Sequence, residues 1–493
     1  MESSLLSRKP FARPLNRLRA RLRETAGGGA ATRAVVLFGA VLGLDSADKA
    51  TLGATAAQLK HQLVITNTEV GVLAAAATAL SALATVPAGA LVDRTNRVRL
   101  LAGSVGLWGV AMIWTGLAGS FTMLLISRVA LGIVLATAGP AIASLTGDLF
   151  PEDRRARVFG YILTGDLVGS GVGFLISGNV AGVLSWRFAF ILLALPSALV
   201  AWLLWRHLPE PRRGAQTRNP RPQQDPAREV AQELGEEPNP NAVVGADARH
   251  MSLWRAIVYV FRIPTNVLLV LASAIGYFFF GGLRTFAIVF ARGHFGLSQS
   301  VASTLFTLVG VGAIVGVVAG GRIADKLMSK GRLNARVLVG VVGFAAAPLF
   351  LAPGLISTSL MISLPLFFIG TAAFSAPNPT IDAARLDVVP WALRGRAEGA
   401  RTVARAAAET AGPLAFGVLA DTFAGSGGKA HGAEIAFLIM LIPLALNGLL
   451  LLPALKSYGR DVAAAAASEA IMKEEDRDYA DERSGGRTNA RER

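Results

Sequence analysis

The residues of this 493-residue chain that could do chemistry are ionisable groups set inside long apolar runs. Asp45, Asp48 and Lys49 stand in GLDSADKA, Arg128 in LLISRVALG, and Asp166 in LTGDLVGSGVG. Arg284 and Asp382 follow, and then Glu398, Arg401, Arg405 and Glu409 in a single run. A carboxylate in such surroundings can take and release a proton. A guanidinium stays charged and needs an anion. Both are costly inside a membrane and face a partner or a cavity there. Asp45 and Lys49 are four apart, so they share a helix face and can pair. That pair is either structural or part of a binding site. Asp48 has no such neighbour, which makes it the first choice for a titrating group, ahead of Asp45, Asp166 and Glu409. For Arg128 the available anions are Asp45, Asp48 or a ligand headgroup. Asp166 either titrates or pairs with a basic residue near its end of the membrane.

On a 100° wheel Glu398, Arg401, Arg405 and Glu409 fall at about 0°, −60°, −20° and +20°. Four charges on one stripe cannot face lipid. Glu398 and Arg401 sit near the cytoplasmic end and are expected to close the inner gate, while Arg405 and Glu409 pair or face a cavity. Arg128, Lys49, Arg284, Asp382 and Arg405 are candidate substrate contacts. Tyr277, Phe278, Phe279, Phe280 and Phe374 supply either an apolar cavity wall or a lipid-facing surface. Other chemistries lack their residues. Cysteine is absent, so there is no disulfide, thiol nucleophile or thiolate metal site. The GSGVG run has neither the strand–helix context nor the Lys-Ser/Thr ending of a phosphate loop. No metal, cofactor or enzymatic centre is expected.

These groups must be held by membrane-spanning helices. The chain is 53% hydrophobic and only 16% charged, with a mean hydropathy of +0.49. About 20 apolar residues cross a bilayer as a helix. Twelve such runs are present, at about 33–57, 69–91, 98–118, 121–146, 158–182, 186–206, 264–291, 300–320, 335–355, 360–386, 397–422 and 434–456. They are twice the length of barrel strands and do not alternate. The fold class is therefore all-α integral membrane.

The net charge of +15 lies in loops and tails rather than in a nucleic-acid patch. Connections after the even-numbered spans are rich in Arg and Lys, which puts them and both termini on the cytoplasmic side of a plasma (inner) membrane. A basic tail (1–32) with no usual cleavage site precedes a first bundle (33–206). A polar linker (207–262), read as mobile in its Pro- and Arg-rich part, leads to a second bundle (263–456). A charged tail (457–493) closes the chain.

The two bundles repeat. GALVDRTNRVR begins at Gly89 and GRIADKLMSKGR at Gly321, with Asp93 and Asp325 232 residues apart. DLFPEDRRAR and DVVPWALRGR begin at Asp148 and Asp387, 239 apart. Two matching pairs at a nearly constant offset indicate a duplicated six-span unit.

The loop Gly89-x-x-x-Asp93-Arg94-x-x-Arg97-x-Arg99 resembles the signature motif of the major facilitator superfamily, and Arg128-x-x-x-Gly132 resembles its second motif. The resemblance implies two pseudo-symmetric six-helix bundles around a cavity that opens alternately to each side. Gly89 is expected to let the two flanking spans turn tightly, and Gly89, Asp93, Arg94 and Arg97 are expected to belong to a cytoplasmic gate, in which the resemblance implies that Asp93 latches the inner side against Arg394, Arg396 and Arg401. Asp325 and Lys326 would act likewise towards Arg154 and Arg157. A narrower resemblance is to the spinster-like branch. Asp48-Lys49 stands where that branch has Asp–Arg, and Glu409 and Pro413 match its acid and proline. Leu135 replaces its glutamate seven residues after the arginine. This branch implies a proton-coupled transporter of a small amphipathic, lysophospholipid-like anion, acting as a monomer among membrane lipids. A drug/proton exporter of the same superfamily is the alternative, and a non-transporting membrane sensor a more distant one.

Overall fold

The computed structural model describes residues 29–211, 226–245, 251–424 and 429–489. The basic leader to residue 28, linker residues 212–225 and 246–250, residues 425–428 and the last four residues lie outside the described residues. All the long elements are helices. In chain order they are α1 (Gly29–Leu63), α2 (Asn67–Arg94), α3 (Arg97–Gly116), α4 (Phe121–Leu135), α5 (Ala138–Leu149), α6 (Glu152–Val183) and α7 (Trp186–His207). They continue with α8 (Pro226–Glu233), α9 (Leu253–Val260), α10 (Pro264–Phe295), α11 (Gln299–Met328), α12 (Ala335–Ile356), α13 (Leu360–Ser375), α14 (Pro377–Val388), α15 (Arg394–Thr422), α16 (Lys429–Leu450) and α17 (Ala454–Asn489).

Among the described residues, ten helical segments are long and apolar enough to cross a membrane, with α4–α5 and α13–α14 each counting as one. The two other long core helices, α1 and α15, fall short because they carry the charges singled out above. Leu83, Val86, Leu195, Leu349 and Met361 expose two-thirds or more of their surface. In a multi-pass membrane protein such residues meet lipid, which does not penalise them.

The chain divides into two compact units, residues 1–65 with 76–223, and residues 66–75 with 224–493. In the first, α1 lies along α6 at near-contact distance, because glycines line the crossing. A Cβ on Gly169 would come 2.0 Å from the carbonyl oxygen of Gly43, and one on Gly165 would come 2.1 Å from that of Gly39. Gly173 meets Ala47 in the same way, whereas Gly171 points into open space. The glycine-rich face expected around Asp166 is thus a helix-packing surface. Gly169→Ala should destabilise the protein by about 1–3 kcal/mol, read as a lower unfolding temperature in detergent. Gly171→Ala should leave it unchanged, and equal effects of the two would count against this packing.

In the second unit, α10 crosses α15 just as closely, with a Gly412 Cβ falling 2.1 Å from the Phe278 carbonyl oxygen. The first turns of α2 lie on α15 as well. Asp421 accepts from the backbone N–H groups of Asn67 (3.1 Å) and Thr68 (2.7 Å), and from both of their side chains (2.7 Å each). It therefore caps the start of a helix 350 residues away in sequence.

Part of the linker read as mobile is folded. Arg228 pairs with Glu469, Asn239 donates to Asp461 (2.8 Å), and Val244 N–H donates to the Ser468 hydroxyl (3.0 Å). Residues 226–245 thereby pack against α17, which continues helically through most of the tail. Its composition offers little to bury, and the segment is held by hydrogen bonds and by small residues such as Ala227, Ala231 and Ala242. Tyr259 donates its hydroxyl to the Ala242 carbonyl (2.5 Å), and burial pushes its pKa up to about 12. The bond is therefore intact throughout the physiological range.

Candidate functional site

Two buried charge clusters stand out, one in each unit. In the first, Arg128 projects from α4 and Asp48 from α1. Both are 1% exposed. Nη1 of Arg128 donates to both carboxylate oxygens, at 2.9 and 2.8 Å. The guanidinium also lies over the Phe190 ring, 4.8 Å from its centre. Its Nε and Nη2 are buried and have no hydrogen-bond partner. Of the anions open to Arg128, Asp48 is the one it meets. One turn away Lys49 donates to Asp45 (2.9 Å), and both side chains are about one-quarter exposed.

Asp45 and Leu135 border the same small cavity of about 280 Å³. The position where the spinster-like branch has glutamate thus shares its space with a carboxylate from another helix. Asp166 accepts from the Ser46 hydroxyl and so joins α6 to α1 rather than to a basic residue near the membrane end.

In the second unit the close crossing of α10 and α15 brings Arg284 to Glu409, with Nη2 donating to Oε1 at 2.6 Å. Glu409 Oε2 lies 3.9 Å from Nε of Arg405. The Arg405 guanidinium sits 3.9 Å above the Tyr277 ring, and Arg284 sits 5.3 Å from the Phe280 centre. The two aromatic faces hold the two cations, and two guanidiniums beside one carboxylate leave an excess positive charge that suits an anion. Phe374 is not part of it. It is buried against Phe279, with ring centres 5.5 Å apart, and belongs to the core.

Asp382 also lies elsewhere. It joins a lattice between α14 and α15, in which Arg401 reaches Asp382 and Glu398 (2.9 Å each) and Arg385 reaches Glu398 (2.8 Å) and Asp382 (3.4 Å). Arg385 is 3% exposed and was not anticipated. Its position three residues after Asp382 was the available signal.

The expected gate residues divide. Asp93, Arg94, Asp325 and Lys326 are exposed at the ends of α2 and α11. Gly89 does not make the turn assigned to it. It lies within α2, with open space where a Cβ would be, and the turn is residues 95–96. There the Asn96 side chain caps α3 by accepting from Arg99 N–H (2.8 Å). Arg97 is buried, pairing with Asp148 and donating to Glu210 (2.7 Å), Ser144 (2.9 Å) and the Pro211 carbonyl (2.8 Å). Arg394 donates from Nε and Nη2 to the Leu386 carbonyl (3.2 and 2.9 Å). Arg154 and Arg396 are half-buried, and the Arg157 side chain lies outside the described residues.

The repeat recurs in these contacts. Arg336 pairs with Asp387 as Arg97 does with Asp148, both 51 residues apart. Arg155 donates to the Gly147 carbonyl (2.6 Å) as Arg394 does to that of Leu386, both eight apart. Each is displaced by 239 residues from its counterpart. Among the described residues no group of His, Cys, Asp and Glu is arranged to hold a metal.

The Major Facilitator Superfamily profile matches residues 38–413. The Hexuronate transporter of Bacillus subtilis (strain 168) is 23% identical over 434 residues, covering 83% of this chain and 94% of that one. The Probable L-galactonate transporter of Escherichia coli (strain K12) is 24% identical over 179 residues, 36% of this chain and only 39% of its own length. Among solved structures, a bacterial homolog of the human lysosomal transporter Spinster, inward-facing and unoccupied, superposes with a TM-score of 0.71 at 20% identity, covering 87% of this chain and 97% of that one. At that identity the likeness is one of fold.

Proposed function

Because the chain belongs to the Major Facilitator Superfamily, whose members are membrane transporters rather than enzymes, we propose that it is a proton-coupled secondary transporter of an amphipathic anion. It works by alternating access, as a monomer in the inner membrane with both termini in the cytoplasm. The observation that carries the reading is Arg128, a buried cation paired with Asp48 whose Nε and Nη2 remain without a partner. An anionic headgroup reaching the pair would take those two donors. Proton exchange at Asp48 would couple to this, because a carboxylate that releases Arg128 is free to be protonated. Asp45, on the cavity it shares with Leu135, is the second candidate carrier of a proton. The Arg284–Glu409–Arg405 cluster repeats the combination of cation and carboxylate in the other half. A proton moved through 100 mV releases about 2.3 kcal/mol, enough for a roughly fiftyfold gradient.

A lysophospholipid-like substrate is what the resemblance of Asp48-Lys49, Glu409 and Pro413 to the spinster-like branch implies. A second reading, a compact sugar acid, is favoured by the Hexuronate transporter's match over 83% of the chain. Proteoliposomes holding the purified protein under an imposed pH gradient separate the two. Accumulation of a radiolabelled lysophospholipid supports the first reading, and accumulation of a hexuronate supports the second. Robust drug efflux with neither anion moved would sink both.

A further inference from the structure

The second unit carries an apolar groove, partly open at its side and spanning about 660 Å³ of space, that the charge clusters do not use. It is bounded by α10, α11, α12 and α13, with Phe437 of α16. Along α10 its wall runs from Phe279 to Phe295, a rise of about 24 Å at 1.5 Å per residue. The space is therefore long and narrow, parallel to helices that cross the membrane. It exists because Ala287, Ala291 and Ala302 line it where larger side chains would close it.

The chemistry of the wall selects the ligand. The one polar side chain on it is Thr371, whose hydroxyl already donates to the Phe367 carbonyl (2.8 Å). With that hydroxyl engaged, the wall is apolar throughout and suits an apolar guest. At the outer end of α10, beside Ala291 and Phe295, Arg292 donates from Nη1 to Gln299 (3.1 Å), while its Nε is buried without a partner. The nearby His294 ring faces Glu434 at 3.6 Å. Arg292 thus keeps a donor with which to meet an anion.

We propose that this groove holds the single alkyl chain of a membrane amphiphile, its anionic headgroup at Arg292. The inference does not depend on the transport reading, because a resident lipid and a transported amphiphile share this chemistry. The test uses the full-length protein in nanodiscs and a single-chain fatty acid bearing a photoreactive group at its methyl end. Crosslinks should map to residues 279–295 and 360–371. Ala287→Phe, which fills the space, should cut that labelling about tenfold. Arg292→Gln should cut labelling by the fatty acid but not by the matching fatty alcohol. Leu364→Ala enlarges the groove and should retain or raise the labelling, which keeps the test decisive if the filled variant does not fold. Labelling confined to lipid-facing residues, or unchanged by Ala287→Phe, overturns the proposal. Transport that falls with Ala287→Phe identifies the occupant as the cargo, and transport that persists identifies it as a resident lipid.

Discussion

Arg128→Leu will abolish substrate flux and cost about 3–5 kcal/mol of stability, whereas Asp48→Leu combined with Arg128→Leu will restore the stability and not the flux. Both side chains are 1% exposed, and Asp48 receives both of its guanidinium hydrogen bonds from Arg128. Removing the arginine alone leaves a carboxylate buried and uncompensated. Replacing both partners with apolar groups removes the charge together with its cost, and such replacements are often neutral. A purely structural pair would give back flux along with stability. Thermal unfolding in detergent and flux in proteoliposomes, measured on the same preparations, separate the outcomes. A fully active double variant would end the functional reading. Asp48→Asn keeps the shape and loses the titrating proton, so it should stop pH-driven uptake while sparing counterflow. Arg128→Lys should lose at least about tenfold in flux, because an ammonium cannot present the same fork of donors.

The second large effect is expected at Arg97 and Arg336. Each is read here as a strut within its own half rather than as a gate. Arg97 is 1% exposed and holds Asp148, Glu210, Ser144 and a backbone carbonyl. Arg336 holds Asp387, which also accepts from the Tyr458 hydroxyl. Arg97→Leu takes their shared cation from Asp148 and Glu210, although Glu210 keeps the Val98 N–H, and should cost about 3 kcal/mol. Arg336→Leu should cost less, because its side chain is 14% exposed and Tyr458 continues to serve Asp387. For both, flux per folded molecule should match the wild type. If Arg97→Leu were as stable as wild type but lost flux, the gate reading would stand instead.

Much of the architecture could be read from the sequence because it rests on local patterns. Apolar run length gave the helices, and the duplicated Asp–Pro–Arg loops gave the repeat. The i,i+4 spacing gave the Asp45–Lys49 pair. The Asp48–Arg128 pair was narrowed only to three candidate anions, because its members are 80 residues apart and their meeting depends on how α1 and α4 pack. Applying the 239-residue offset to Arg97 points to Arg336, so the second strut was within reach. The folded part of the linker was not. Asn239 and Val244 are held by hydrogen bonds to α17 more than 200 residues away, which no local hydrophobic pattern records.

Asp421 gives the molecule a built-in reporter. The opening amides of α2 depend on an acceptor borrowed from α15, so their isotope exchange records the distance between the two helices. When α15 draws away, the Asn67 and Thr68 amides should exchange with solvent faster, while those deeper in α2 do not change. Exchange mass spectrometry on unlabelled protein could therefore time the transport cycle, with Asp421→Asn, a weaker acceptor, shifting the baseline.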